Sequence, residues 1–264
     1  MTMKIFQIDA FTNKLFGGNP AAVCPLDNWL SDETLQNIAV ENNLAETAFF
    51  VQLSNNHFHL RWFTPEFEID LCGHATLASA FVIFNEIGND SDDIFFDTKS
   101  GLLKVSKNGD YLELDFPSRP PKKEKLPKII SDGLNIQPKE IWKARDYLLV
   151  YDSEDEIKRI EPNIAILNQI NINPGGIIVT AKAKSKDIDF VSRFFTPQAA
   201  VFEDPVTGSA HCTLIPFWAN KLNKKKLSAL QISERKGELI CELRNDRVII
   251  RGKAIKYFEG TIQL

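Results

Sequence analysis

The chain is poor in the residues that build metal and redox centres. Its 264 residues include four histidines, four cysteines and two methionines. Cys24, Cys72, Cys212 and Cys241 are far apart and form no Cys-x-x-Cys pair, which excludes a zinc ribbon or a dithiol redox motif. His57 and His59 are two apart, but no nearby cysteine or carboxylate has ligand spacing, so no metal is expected. No apolar run reaches the roughly 18 residues needed to span a bilayer. Met1-Thr2-Met3-Lys4-Ile5-Phe6-Gln7 lacks the basic segment and apolar block of a signal peptide. The expectation is a cytoplasmic protein with reduced thiols. Positive charge is not in surplus, with a formal net charge of −4, so neither nucleic acid nor an anionic membrane is an expected partner. The Gly17-Gly18-Asn19-Pro20 turn matches neither a dinucleotide nor a phosphate-loop fingerprint.

Hydrophobic residues make up 44%, with 19 phenylalanines, enough to bury one large core or two. The stretch Asp70-Leu71-Cys72-Gly73-His74-Ala75-Thr76 reads as a loop that turns into a helix. The helix is apolar on every side through Ala78, Ala80, Phe81, Val82, Ile83 and Phe84, as expected of a buried helix. Its amino end then carries unpaired N–H groups and partial positive charge into the interior or a cleft, where it attracts anions. The design recurs as Glu203-Asp204-Pro205-Val206-Thr207-Gly208-Ser209-Ala210-His211, followed by Leu214, Ile215, Phe217 and Trp218. Pro216 removes a backbone bond and should bend this second helix.

The surrounding pattern predicts strands at 4–11, 20–26, 47–53, 57–63, 94–98, 102–106 and 111–116, with a surface helix over 31–42. Asn108-Gly109 marks a two-residue hairpin. Residues 118–127, rich in proline, lysine and glutamate, read as a linker. Beyond it, strands are predicted at 147–151, 176–181, 189–195, 230–234, 239–244 and 248–251. Ser153 and Glu156 form a capping box, and 162–170 reads as helical. Lys224-Lys225-Lys226 reads as a solvated helix end. A final strand, 257–264, should return to pair with the first half.

Arg61-Trp62-Phe63-Thr64-Pro65 matches Arg193-Phe194-Phe195-Thr196-Pro197. Gly73 then matches Gly208, and Lys99-Ser100-Gly101-Leu102-Leu103 matches Arg235-Lys236-Gly237-Glu238-Leu239. Three anchors in one order argue for two copies of one unit, each with strands around a central helix. The expected domains are 1–117 with the terminal strand 253–264, and 128–252. Two such domains would bring their helix ends to a shared cleft.

These motifs, with Asp9-Ala10-Phe11, Gly17-Gly18-Asn19-Pro20-Ala21 and Asn43-Leu44-Ala45-Glu46-Thr47-Ala48-Phe49, span nearly the whole chain. Together they resemble the PhzF family, the phenazine biosynthesis-like isomerases, whose fold is shared with diaminopimelate epimerase. The resemblance implies an α+β fold of two pseudo-symmetric domains, each a mixed sheet or open barrel around a central helix, with the active site in the interdomain cleft. It places the family's catalytic carboxylate on Glu46 and its other site residues on His74, Asp204 and Ser209. It further implies a cofactor-independent isomerase, a biosynthetic role and a homodimer.

Each residue also has a plainer role available. Glu46 could cap a strand in solvent. Its neighbours Leu44, Ala45, Ala48 and Phe49 would instead disfavour its charged form and make it a usable proton shuttle. His74 could be a satisfied core histidine, Asp204 a helix-start acid and Ser209 a first-turn residue. Gly73 and Gly208 could serve tight turns or close approach to a ligand. Cys72 aligns with Thr207 in the repeat, and Cys212 should lie one turn further in. A two-thiol epimerisation is therefore disfavoured, and Cys72 reads as packing beside the site. A Cys72/His74 hydrolase is also disfavoured, because near neighbours at a helix start should point apart.

The expectation is allylic isomerisation or tautomerisation, with Glu46 moving a proton between carbons of a small-molecule carboxylate. His74 and Asp204 would orient the substrate, and Gly73, His74, Gly208, Ser209 and Asn19 would bind it. The alternatives are an epimerase or racemase of an amino or hydroxy acid, and a non-catalytic binding protein on the same scaffold.

Overall fold

The computed structural model describes residues 2–172 and 175–264. It divides into two compact units, residues 1–115 with 251–264, and residues 116–250.

The first unit begins with β1 (Thr2–Ala10), β2 (Asn19–Leu26), helix α1 (Asp32–Asn42), β3 (Glu46–Ser54), β4 (His57–Phe63) and β5 (Glu68–Ile69). Helix α2 (Gly73–Val82) follows and widens into a π turn over Ile83–Ile87, which Gly88 ends at φ 85°. Then come β6 (Asp93–Thr98), β7 (Gly101–Asn108) and β8 (Tyr111–Pro117). β1–β2 is antiparallel, β2–β3 parallel, β3–β4 antiparallel, β4–β6 parallel and β6–β7 antiparallel. All residues of α2 but Phe81 are buried. The helix packs on β1, β2 and β3. α1 covers the outer face, where Leu35, Ile38 and Ala39 join Met3, Ile5, Cys24 and Phe49. Ser31 caps α1 by accepting from Thr34 N–H, as its position before an Asp/Glu first turn implies.

The second unit contains β9 (Lys122–Lys123), α3 (Lys128–Asp132), β10 (Glu140–Lys143), β11 (Tyr147–Val150), α4 (Glu154–Arg159) and α5 (Ile164–Leu167). Next are β12 (Ile177–Lys182), β13 (Phe190–Phe195), α6 (Gly208–Leu222), β14 (Lys226–Gln231), β15 (Gly237–Arg244) and β16 (Arg247–Gly252). Its pairings follow the first unit: β10–β11 antiparallel, β11–β12 parallel, β12–β13 antiparallel, β13–β14 parallel and β14–β15 antiparallel. From Gly208 to Ala219 all of α6 but Ser209 is buried, and α3, α4 and α5 pack against the second core. β17 (Ala254–Gln263) closes the chain and lies antiparallel on β1, so the last strand belongs to the first unit.

Several local expectations shift. Residues 118–127, expected to link the domains, carry β9 paired with β10, and Leu126 packs on the second core. The helix expected over 162–170 is the single turn α5, because Pro162 pairs with Leu134 in an isolated bridge instead. The strand expected at 230–234 runs earlier, at 226–231, because α6 ends on Asn223 in the left-handed region and Lys226 already pairs with Glu242.

Candidate active site

In the first unit three elements deliver polar side chains to the start of α2. α1 ends at its cap Asn43 (φ 48°), and three residues later Glu46 opens β3 beside Ala21 of β2. Asn42 donates to the Thr47 hydroxyl at 3.1 Å and ties this corner down. Gly18 (φ +64°) leads into Asn19; a Cβ there would lie 2.1 Å from the Ala10 carbonyl oxygen, so only glycine lets the chain cross and start β2 at Asn19. Cys72 is extended and Gly73 is the first residue of α2, with His74 the second.

His74 is 4% exposed and Glu46 16% as side chains, and His74 Nε2 lies 3.0 Å from Glu46 Oε2. The contact is close but off the ring N–H direction: neither atom has an aligned hydrogen-bond partner among the described residues, and both are shielded from solvent. Such atoms stand ready for a polar guest. On the other side of the ring, Nδ1 lies 3.0 Å from the carboxamide Nδ2 of Asn19, which is fully buried, and 3.5 Å from Cys72 Sγ.

Burial disfavours an imidazolium at His74, whereas a thiolate at Cys72 and the Glu46 carboxylate would lift its pKa well above the ordinary value. Cys72 is itself buried beside Glu46 and pushed up to about 11. It is therefore a neutral thiol where a histidine titrates, and Glu46 remains the charge that favours a protonated ring. The contact between Cys72 and His74 departs from the expectation that they point apart. The cause is the extended backbone of Cys72 (φ −138°, ψ 116°), which turns its side chain back over the first helical turn. A neutral thiol there is a poor nucleophile.

Glu46, Cys72 and His74 place one ligand-type atom each within 4.8 Å of one another. In this arrangement burial holds the Cys72 thiol neutral, and the two ring nitrogens of His74 face Asn19 and Glu46. His57 and His59 lie elsewhere, beside Asp97 and Trp29.

The second unit gathers its expected residues about the start of α6. Gly208 is the first helical residue, and Thr207 precedes it in extended conformation. Asp204 Oδ2 accepts from the Thr207 hydroxyl at 2.5 Å, so this acid shapes the loop. Ser209 Oγ accepts from Arg145 at 3.0 Å. Gly73 and Gly208 both sit in helical first turns and are not left-handed turn residues.

Sequence reasoning missed Arg145 and Gln231. Gln231 is fully buried; its Oε1 accepts from Thr207 N–H and its Nε2 donates to the Asp204 carbonyl. A glutamine ending an apolar strand was the available signal. Arg145 leans on Asp146, which burial pushes to a higher pKa and which accepts from Gly176 N–H at 2.9 Å. An Arg-Asp pair before the buried run Tyr147–Val150 was its signal.

A mixed sheet around a buried helix, built twice in one chain, with acid–base side chains at a helix start, defines an epimerase-like isomerase fold. A crystal structure of a hydroxyproline epimerase from Agrobacterium vitis shares it at TM-score 0.60 and 10% identity, over 99% of this chain and 92% of that one. The likeness narrows sharply at the level of family. The sequence model of the PhzC-PhzF family, "Phenazine biosynthesis-like protein", matches residues 8–260. The crystal structure of a PhzF family protein from Enterococcus faecalis superposes at TM-score 0.94 with 44% identity, covering both chains completely. An uncharacterized isomerase of Pseudomonas aeruginosa is 49% identical over the full length of both. The chain belongs to the PhzC-PhzF family, and by class it is an isomerase.

Proposed function

We propose that the protein is a cofactor-independent isomerase in which Glu46 moves a proton between two carbons of a small carboxylate. The supporting observation is the buried Glu46–His74 pair, whose facing oxygen and nitrogen lack aligned partners among the described residues. A substrate C–H presented to Glu46 would lose its proton to the carboxylate and regain it from the same face at another carbon. His74 steadies the carboxylate, and the amino end of α2 favours the substrate's negative charge. Asp204, Gly208 and Ser209 enter this reading through the family resemblance, as a loop-setting acid and substrate contacts. The class of reaction suits a step in a biosynthetic route.

Glu46→Gln tests the assignment. Turnover of a responsive carboxylate should fall by about 10³-fold, within the range set for general acid–base groups, while ligand binding is retained. Full turnover in the variant would refute it. Tight binding of carboxylates by the wild type, with no C–H exchange in any, would favour a binding protein.

Two further parts of the proposal concern setting. Four buried cysteines outside any disulfide suit a reducing cytoplasm, and no helix among the described residues is long and apolar enough to cross a membrane. A homodimer would use the exposed aromatic cluster of Phe16, Tyr257 and Phe258, where Phe16 and Tyr257 meet edge to face at 5.8 Å. Sedimentation of Phe16→Asp checks this: a shift to monomer supports it, and an unchanged dimer moves the interface elsewhere.

A further inference from the structure

We propose that Asn19 is a positioning residue that holds His74 neutral, with the ring proton on Nε2 facing Glu46, so that Glu46 alone carries protons. Asn19 is among the residues expected to bind substrate, and its side chain is fully buried and directed at His74 across 55 positions of sequence.

The argument is one of donors and acceptors. A carboxamide nitrogen only donates, and it stands 3.0 Å from His74 Nδ1. Nδ1 can accept only with its lone pair free, which leaves the ring's one proton on Nε2. Nε2 in turn lies 3.0 Å from Glu46 Oε2. Asn19 therefore donates to Nδ1, and the Nε2 proton lies on the side of the ring nearest Glu46 Oε2, close to it but without an aligned hydrogen bond. A histidine so held can steady the carboxylate, but it cannot give up its proton without becoming an anion, and it cannot gain one without setting N–H against N–H.

The place of the side chain is set by the backbone: Asn19 pairs with Ala10 in the β1–β2 ladder, and the glycine before it is required by the Ala10 carbonyl. The groups around the ring are Asn19 from β2, Glu46 from β3 and Cys72 from the loop before α2. Cys72 is a neutral thiol and contributes little charge. Glu46 pulls a second proton toward the ring, while burial and the Asn19 amide resist it. A half-turn of the amide would present Oδ1 to Nδ1 and stabilise the imidazolium instead. The two orientations give opposite signs when the amide is removed, so the inference can be tested by direction alone.

The test is nitrogen NMR of the full-length protein labelled at histidine, with His74 assigned by its loss in His74→Gln. The expected result at neutral pH is an unprotonated Nδ1 and a protonated Nε2. In Asn19→Leu, His74 should take a second proton about one pH unit higher than in the wild type, a tenfold gain in proton affinity. Asn19→Ser, smaller and still polar, serves as the second variant and should move the same way. An imidazolium in the wild type at neutral pH, or a His74 pKa that falls in either variant, would overturn the proposal. Should both variants fail to fold, the wild-type spectrum decides. The kinetic consequence rests on Glu46 being the shuttle: the acid limb of the kcat profile should move with the His74 pKa while KM stays within about threefold. If Glu46 is not the shuttle, the NMR result still stands and only the kinetic arm fails.

Discussion

Glu46 and Gly176 occupy the same place in two copies of one design. Each stands one residue before the strand position that pairs with the last phenylalanine of the repeated Arg-aromatic-Phe motif, Thr47 with Phe63 and Ile177 with Phe195. The first copy puts a carboxylate there. The second cannot hold any side chain, because a Cβ on Gly176 would come within 2.3 Å of the Phe194 ring and 2.7 Å of the Phe195 carbonyl oxygen. The helix starts differ likewise. Cys72 and His74 precede and enter α2, where Thr207 and Ser209 precede and enter α6. The histidine of the second copy, His211, lies a turn deeper, donates from Nδ1 to the Thr207 carbonyl at 2.8 Å, and is held by burial at a pKa of about 4. Among the described residues, the close contact between a carboxylate and a histidine at a helix start belongs to the first copy, whereas the second has Asp204 accepting from the Thr207 hydroxyl. An inversion needs a base on each face of the carbon, and this difference supports the proposed one-base proton shift.

The largest expected effect that would break the comparison concerns Gly176. Gly176→Ala should destabilise the second unit by about 1–3 kcal/mol through overpacking, and chemical unfolding would register it. A neutral outcome would mean the place can accept a side chain after all. Next is His211. Its folded pKa lies below the ordinary 6.5, so the unfolded chain binds the extra proton first as pH falls. Its contribution is complete above about pH 6.5 and is lost as pH drops toward 4, by about 3 kcal/mol at most. Unfolding midpoints between pH 4 and 7 should flatten in His211→Gln, whereas an unchanged slope would assign the acid sensitivity elsewhere.

A smaller effect sharpens the likeness of the copies. Arg61 forks onto Glu68 at 2.8 and 2.9 Å, and Arg193 forks onto Glu203 at 2.8 Å twice. Lys99 also reaches Glu68, whereas Arg193 additionally donates to the carbonyls of Ile157 and Ile160. Arg193→Met should therefore cost about 1 kcal/mol more than Arg61→Met, since it strands acceptors that Arg61→Met does not. Equal losses in thermal unfolding would say that the two carbonyls find water. Smallest is Thr207→Val, which removes one hydroxyl bond to Asp204 and should cost about 1 kcal/mol.

Much of this was written in local pattern. The apolar run after Gly73 gave α2, the hairpin signalled at Asn108-Gly109 formed between β7 and β8 with its turn one residue later at Gly109-Asp110, and Ser153 with Glu156 formed the capping box as expected. The repeated Arg-aromatic-Phe motif pointed to the two forks. What escaped depends on partners distant in sequence. Nothing near Asn19 says that its amide meets a ring 55 residues on, and nothing near Lys226 says that a strand partner awaits it at Glu242. Cys72 was placed pointing away from His74 because helical geometry was assumed one residue too early.

The most direct test of a single acid–base residue is deuterium uptake at carbon from heavy water during turnover of a responsive carboxylate. The account predicts uptake in the wild type and in Cys72→Ala, and none above the uncatalysed rate in Glu46→Gln. Uptake that persists in Glu46→Gln, or disappears in Cys72→Ala, would contradict it.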